Sequence, residues 1–249
     1  QKAAEAAERQ TKLTVELRSC DSRIHLLSEL EKELEGFSKA AKIVMQESER
    51  GTLRGVHGPV GKMIRTEDRY ALAVETALGA HVGDIIVDTQ DNGKDIFALL
   101  KRRDGGRVTL QPMDVIRPAR LNGEPRGEAG YVGVCSDLVN CDKRYSAVIA
   151  SLLGRTAVAE TLTDAIAIAR RHNNSFRIVT LDGQILNAGG SMTGGSAGKN
   201  TGILSRANEL KRLREKRGDL EAQLSQTESQ RREAERELQS ARYDLETAR

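Results

Sequence analysis

A glycine-rich segment that ends in lysine contains the residue types most suited to chemistry. Residues 189–200 are GGSMTGGSAGKN, and phosphate-binding loops combine backbone N–H groups of such glycines with a lysine and a hydroxyl that holds Mg²⁺. The spacing does not fit, because Thr193 stands where the first glycine is needed, and Asn200 follows Lys199 in place of Ser or Thr. The segment therefore does not predict a nucleotide-binding enzyme.

The same glycines have a second use as a surface for another backbone. A strand that lacks Cβ atoms on one face allows close approach of a second chain, and an open edge strand is a template for pairing. A flexible linker is the alternative interpretation of this composition. The candidate interface residues are Gly189, Gly190, Ser191, Met192, Thr193, Gly194 and Gly195.

No constellation of residues predicts catalysis. The four histidines are scattered, and the aspartates near turns are expected to cap or to shape those turns. The three cysteines, Cys20, Cys135 and Cys141, have neither the short paired spacings of a zinc site nor an even number for a disulfide framework. We therefore expect no enzyme activity, no metal and no cofactor, and a reducing, cytoplasmic setting.

Basic residues cluster locally and not in a tail, since the net charge of the chain is only +3. Lys and Arg grouped in space without base-reading side chains are typical of contacts to DNA phosphates. A solvated coiled-coil flank is the alternative interpretation of this cluster. The candidate DNA-binding residues are Lys199, Arg206, Lys211, Arg212 and Arg214.

Heptad patterns at both ends of the chain predict the two helical arms that must position these residues. Residues 203–249 carry apolar positions at alternating steps of three and four from Leu210 to Ala248, and residues 1–50 carry the same steps from Leu13 to Val44. In residues 1–50 the heptad register shifts between Leu27 and Leu30, which predicts a kink in that arm. We expect the two arms to pair antiparallel within one chain; parallel pairing between two molecules is the alternative. The chain begins and ends within heptads, as expected of a piece of a longer protein.

Prolines and most glycines are confined to the region between the arms, which predicts a globular domain at 51–202. Within it, 70–79 resembles 145–154, and each is followed by an apolar stretch, a helix ending in basic residues and a β-branched strand. Two α+β half-domains, at about 51–122 and 128–202, are therefore predicted. Chance similarity among short helices is the alternative.

Together these segments resemble the hinge domain of prokaryotic structural maintenance of chromosomes (SMC) proteins. The segments that carry the resemblance are 55–61, 70–79, 130–139, 176–183 and 189–195. Its most specific part is Asp182-Gly183 followed by the Gly189 to Gly195 run. The resemblance implies an α+β hinge of two pseudo-symmetric half-domains, inserted in an antiparallel intramolecular coiled coil.

The resemblance also implies a function. Such a hinge homodimerises through the glycine run and joins two coiled-coil arms, and basic residues near the junction help to bind or entrap DNA in chromosome condensation and segregation. ATPase heads and kleisin-type partners belong to parts of the family's proteins that are absent from this sequence. A DNA-binding module with incidental dimerisation is the alternative function. A nucleoid-associated, cytoplasmic protein without membrane contact is expected.

Overall fold

The computed structural model describes residues 2–195 and 202–248, and the chain divides into two compact units. The arm unit comprises residues 1–35 and 209–249, and the globular unit comprises residues 36–208. The described α-helices are α1 (Lys2–Lys32), α2 (Lys39–Glu49), α3 (Val60–Met63), α4 (Asp68–Leu78), α5 (Gln90–Arg102), α6 (Ser146–Leu153), α7 (Leu162–Arg171) and α8 (Ile203–Thr247). Within these described residues, no helix is both long and apolar enough to cross a membrane.

The arm unit is an antiparallel pair formed by α1 and the part of α8 beyond residue 208. Its buried seam contains Leu13, Cys20 and Leu220, with further leucines and Ile24 packed against them. Polar contacts fix the direction of the pair: Gln10 Nε2 donates to Glu228 Oε1 (3.1 Å), whereas Arg23 Nε donates to Glu209 Oε1 (2.8 Å). The heptad prediction of an intramolecular antiparallel coiled coil is confirmed.

The N-terminal arm is interrupted after α1. Leu34 has φ +53° and Gly36 has φ +95°, so neither continues a right-handed helix. Ser38 then caps α2 by accepting a hydrogen bond from the backbone N–H of Ala41. The apolar positions Ala41 and Val44, which the sequence assigns to the arm heptads, are buried in the globular unit instead, because a heptad specifies an apolar stripe and not its partner.

A buried carboxylate anchors α2 within the globular unit. Glu47 is only 2% exposed, and its Oε1 accepts hydrogen bonds from Arg50 Nη1 (2.7 Å) and Arg103 Nη1 (2.8 Å). Arg103 directly follows α5, so this pair joins α2 to the end of α5. Buried charges are tolerated where they are paired in this way.

The strands of the globular unit form three sheets. The strands are β1 (Val56–Pro59), β2 (Ile64–Thr66), β3 (Ile85–Val87), β4 (Leu110–Pro112), β5 (Tyr131–Val134), β6 (Val139–Cys141), β7 (Thr156–Ala159), β8 (Arg177–Thr180), β9 (Ile185–Leu186) and β10 (Met192–Thr193). The sheet orders are β1-β3-β4, β10-β9-β8-β7-β5 and β2-β6. Edge strands of the two larger sheets are therefore available on both halves of the unit.

The two halves repeat one topology. β1 is antiparallel to β3, which is parallel to β4; β5 is antiparallel to β7, which is parallel to β8. A positive-φ glycine precedes each first strand and lies against a side chain in the first turn of the helix that links the two parallel strands: Gly55 against Asn92 of α5, and Gly130 against Asp164 of α7. The predicted pair of pseudo-symmetric half-domains is confirmed.

The halves share one hydrophobic core. A single cluster joins α4 residues of the first half to Tyr145, Ile149 and Leu153 of the second, and it includes Leu204 of α8. β2 and β6 pair across the halves, and Arg177 Nη1 on β8 donates to the carbonyl of Ala77 at the end of α4 (2.8 Å). The two halves are therefore one packed body.

Candidate functional site: an open sheet edge and a basic helix

The glycine run builds a short hairpin at the edge of the five-stranded sheet. β9 and β10 pair with Leu186 opposite Met192 and with Ile185 opposite Thr193. The turn between them needs Gly189 and Gly190, which have φ +86° and +94°. All seven predicted interface residues are exposed, and the structure brings them together in this hairpin and directly after it. The strand itself consists of Met192 and Thr193, and the glycines flank it.

The backbone of Met192 faces away from the hairpin. Asn187 N donates to Ser191 O (2.8 Å), and hydrogen-bonded pairs alternate along an antiparallel ladder. The next hydrogen-bonded pair is therefore Ile185 with Thr193. Met192 lies between these pairs, so its N–H and C=O point to the side of β10 that has no neighbouring strand among the described residues, where a further strand can bind.

Side chains next to the hairpin hold this edge in place. Gln184 Nε2 donates to Gly195 O (3.2 Å), and Gly195 N donates to Gln184 Oε1 (3.0 Å). A Cβ on Gly194 would lie 1.8 Å from that Oε1, so the amide can approach the backbone only because residue 194 is glycine. On the far side, Gly189 N donates to Asn174 O (2.9 Å). Both sides of the hairpin are thus tied by hydrogen bonds to other segments of the same chain.

A complementary edge lies on the first half of the globular unit. β4 pairs on one side with β3, and its other side has no neighbouring strand among the described residues. Thr109, directly before β4, is exposed, and its carbonyl accepts a hydrogen bond from Ile85 N (3.0 Å). Among the edge strands of the two larger sheets, which also include β1 and β5, each chain therefore carries the unlike edges β4 and β10.

The predicted DNA-binding residues lie mainly on α8. Lys211, Arg212 and Arg214 are exposed and belong to the arm unit, whereas Arg206 is half-buried and belongs to the globular unit. Arg206 Nη2 lies only 3.0 Å from the position that a Cβ on Gly36 would occupy. Lys199 lies outside the described residues. The structure thus exposes three of the five predicted side chains.

The first turn of α8 is capped by a carboxylate that the sequence pattern did not reveal. Glu75 Oε1 on α4 accepts a hydrogen bond from Ile203 N (2.6 Å). Burial raises the pKa of Glu75 above its ordinary value, although the Ile203 hydrogen bond and the charge of Arg206 act in the opposite direction. Periodicity could not predict this cap, because Glu75 and Ile203 are far apart in sequence.

His57, His81 and His172 make polar contacts with side chains of the globular unit. His57 Nε2 lies 2.7 Å from Asp88 Oδ1, and its Nδ1 lies 3.2 Å from the hydroxyl of Tyr145, which belongs to the other half. His172 Nε2 similarly lies 2.7 Å from Glu128 Oε1. Across the described ranges, no group of three or more His, Cys, Asp or Glu side chains is arranged to hold a metal ion.

Comparisons with known proteins identify what this arrangement resembles. A family model described as the SMC proteins flexible hinge domain matches residues 53–169. The chromosome partition protein Smc of Halothermothrix orenii is 34% identical over 198 residues, which are 78% of this chain and 16% of that protein. The Smc protein of Bacillus subtilis is 33% identical over 230 residues, which are 90% of this chain and 19% of that protein.

A solved structure matches nearly the whole chain. The SMC hinge domain of Geobacillus stearothermophilus, described as an asymmetric dimer, is 32% identical with a TM-score of 0.84, and the match covers 95% of this chain and 96% of that one. By contrast, the chain spans less than a fifth of the length of the two Smc relatives.

Proposed function

Because the chain belongs to the SMC flexible hinge family, we propose that it is a hinge that homodimerises and so joins the coiled-coil arms of two protein chains. A related solved hinge is described as a dimer. The proposed interface is formed by the seven residues from Gly189 to Gly195. In the whole protein, the hinge would serve chromosome partition, as the names of the Smc relatives indicate.

The observation that carries this proposal is the outward-facing backbone of Met192 on an exposed edge strand. An open strand with unpaired N–H and C=O groups binds another strand readily. The unlike edge β4 on the other half supplies such a strand in a second copy. In a two-fold dimer, each β10 pairs with the partner's β4, which produces two equivalent contacts.

A proline at the centre of β10 tests the proposal. Met192→Pro removes the outward N–H but leaves the inward ladder through Thr193, and edge strands tolerate proline. We expect wild type to be a dimer at micromolar concentration in sedimentation velocity, and Met192→Pro to be a monomer. Met192→Leu retains the N–H and should remain a dimer. A monomeric wild type, or a Met192→Pro variant that dimerises as wild type does, would contradict the proposal.

DNA binding by the basic side chains of α8 is a second proposal. Lys211, Arg212 and Arg214 are exposed, and Lys211 Nζ lies 3.9 Å from Glu215 Oε1 in a pair whose side chains are both exposed. Such exposed pairs contribute little and leave the lysine available to phosphate. Lys199 and Arg206 stay candidate contacts from the sequence. A hinge of this kind would help to bind or entrap DNA.

Salt-dependent affinity tests the DNA proposal. Replacing Lys211, Arg212 and Arg214 by Gln should weaken duplex binding and reduce the slope of log affinity against log salt, by about 0.9 for each lost phosphate contact. The matched control removes three exposed arginines further along α8, namely Arg232, Arg236 and Arg242. Equal losses in both triple variants would contradict a specific role for the first set.

We also propose the division of the chain into a hinge at 51–202, with half-domains at about 51–122 and 128–202, and arms at 1–50 and 203–249. Support comes from the two compact units, although the globular unit begins at Gly36 because α2 packs within it. ATP-dependent activity, kleisin-type partners and a nucleoid-associated, cytoplasmic location are proposals for the whole protein.

A further inference from the structure

We propose that Phe97 of one protomer inserts into an apolar cleft of its partner, between α7 and the β9–β10 hairpin. This inference rests on the dimer proposed above and adds a side-chain anchor to its backbone pairing. Hot-spot residues at protein interfaces are commonly aromatic side chains that fill pockets on the partner. The two unlike sheet edges would then be held by packing as well as by hydrogen bonds.

Phe97 lies on the flank of α5 that faces the open β4 edge. Asn92 of α5 lies against Gly55, which precedes β1, whereas Gly93 lies against Leu110 of β4: a Cβ on Gly93 would be 3.2 Å from Leu110 Cδ1. Phe97 follows Gly93 by four residues, so both lie on the same helix face. Its side chain is 52% exposed although the helix buries its other large apolar residues. A large aromatic surface therefore lies beside β4.

The cleft lies beside the other open edge. It has a volume of about 230 Å³; Ile166 and Ala169 of α7, Leu186 of β9 and Met192 of β10 form its apolar part, and Arg170, Asn174 and Gly190 complete its lining. A cavity of about 150 Å³ in another protein holds a benzene ring. Met192 is 54% exposed, and thioether sulfur makes favourable contacts with aromatic rings. The cleft thus has the size and the chemistry to accept a phenylalanine side chain.

Topology brings α5 and the partner's α7 to the same face of a joined sheet. Both helices connect parallel strands, β3 to β4 and β7 to β8, and such crossovers are almost always right-handed. β10 runs in the same direction as β8, because each is antiparallel to β9. If β4 and the partner's β10 pair antiparallel, the commoner arrangement, then the partner's β7 and β8 run opposite to β3 and β4. The step across the sheet from the partner's β7 to β8 is also opposite to the step from β3 to β4. The two reversals cancel, so α5 and the partner's α7 cover the same face of the joined sheet.

The spacing leaves room for an inserted side chain. The midpoint of β3 and β4 would lie about four strand spacings, or about 19 Å, from the midpoint of the partner's β7 and β8. Directly packed helices lie only about 8–10 Å apart. The space between the helices is above β9 and β10, where the cleft is. Phe97 and Met192 are both exposed, at 52% and 54%, and in the joined sheet they would face this space from its two sides.

Dimer affinity of the full chain tests the inference. Phe97→Ala should raise the dimer Kd about tenfold or more, as expected for loss of an aromatic anchor, while far-UV circular dichroism stays unchanged because Phe97 is exposed. Leu26→Ala is the matched control, since Leu26 is a 48% exposed apolar residue of the arm unit. Its Kd should equal that of wild type.

A double-mutant cycle identifies the contact. Met192→Ala should raise the dimer Kd by a larger factor in the wild-type background than in the Phe97→Ala background, because the two side chains interact only when both are present. If the Phe97→Ala variant dimerises with the same Kd as wild type, this inference is overturned, whereas the proposed dimer stands. A monomeric wild type would instead overturn the proposed function itself.

Discussion

Glu75 caps the first turn of α8 across a large separation in sequence: its Oε1 accepts a 2.6 Å hydrogen bond from the backbone N–H of Ile203. Gly202 makes this approach possible, since a Cβ there would lie 1.7 Å from Glu75 Oε2. The first N–H groups of a helix have no partner within the helix, and a carboxylate satisfies them well. The last turn of α4 therefore stabilises the beginning of the longest helix of the chain.

The raised pKa of Glu75 predicts a pH-dependent contribution to stability. A carboxyl group whose folded pKa lies above its unfolded value favours folding below the ordinary value of 4.5, and this contribution is lost as pH rises through the folded pKa. Glu75→Gln keeps the acceptor oxygen and removes the titration. We expect the variant to gain free energy of unfolding relative to wild type as pH rises from about 4 to about 8.

Urea unfolding at several pH values measures this effect. Glu75→Ala is the second variant, because it removes the acceptor; it should be about 1 kcal/mol less stable than Glu75→Gln, the usual cost of losing a helix cap. Parallel pH profiles for wild type and Glu75→Gln would show that burial does not perturb this carboxyl group.

Gly154→Ala should destabilise the globular unit by about 1–3 kcal/mol, the usual cost of overpacking a buried position. Its Cβ would lie 2.0 Å from Ala119 O and 2.4 Å from Ala150 O, which are backbone atoms that cannot rotate away. Gly218→Ala is the control: nothing lies within 4 Å of a Cβ there, and alanine should stabilise α8 by about 1 kcal/mol. Thermal melts that show equal effects of the two substitutions would reject the packing argument.

A cysteine at position 213 should crosslink to the natural Cys20 within one chain. Cys20 Sγ lies 3.2 Å from the carbonyl oxygen of Leu213 in the coiled-coil seam. Oxidation of Leu213→Cys should therefore yield a faster-migrating monomer on a non-reducing gel, and Cys20→Ser in the same background should abolish it. Crosslinked species of twice the chain mass alone would contradict intramolecular pairing.

Cys135 should resist thiol reagents in the folded protein. Its side chain is fully buried in the shared core, and burial raises the pKa of its thiol to about 12, with the charge of Arg177 acting in the opposite direction. Almost no thiolate forms at pH 8. Mass spectrometry after brief alkylation should detect modification of Cys135 only in urea; native modification at the rate of an unfolded thiol would contradict the burial.

Much of the fold could be predicted because periodicity and turn chemistry encode it directly. The seam residues Leu13, Cys20 and Leu220 follow from the 3.5-residue period. The repeated helices that end at Gly79 and Gly154 revealed the duplication. The sequence could not distinguish the reasons for these glycines: Gly79 adopts φ +53°, whereas Gly154 has an ordinary φ of −70° and is needed for space.

Contacts between distant segments could not be predicted. The pairing of β2 with β6 and the capping of Ile203 by Glu75 depend on tertiary placement, which leaves no local signal. Arg206 belongs to the basic cluster that the sequence predicts to contact DNA, but its side chain is half-buried in the structure. Within the candidate interface, the glycine-rich composition predicted an edge strand. The hydrogen-bond pattern between β9 and β10 was needed to show that the backbone N–H and C=O of Met192 point away from β9.

The unlike edges β4 and β10 have a consequence for how the protein assembles. They belong to separate sheets of one packed body, so in the proposed dimer each molecule would act as a link with two different ends, β4 and β10. Two such links that close on each other would pair both β4 edges with both β10 edges, and growth would stop. The same ends joined head to tail without closure would extend into an open filament. Under this proposal, self-limiting assembly would depend on the angle between the two edges, which is set by the core that the two halves share.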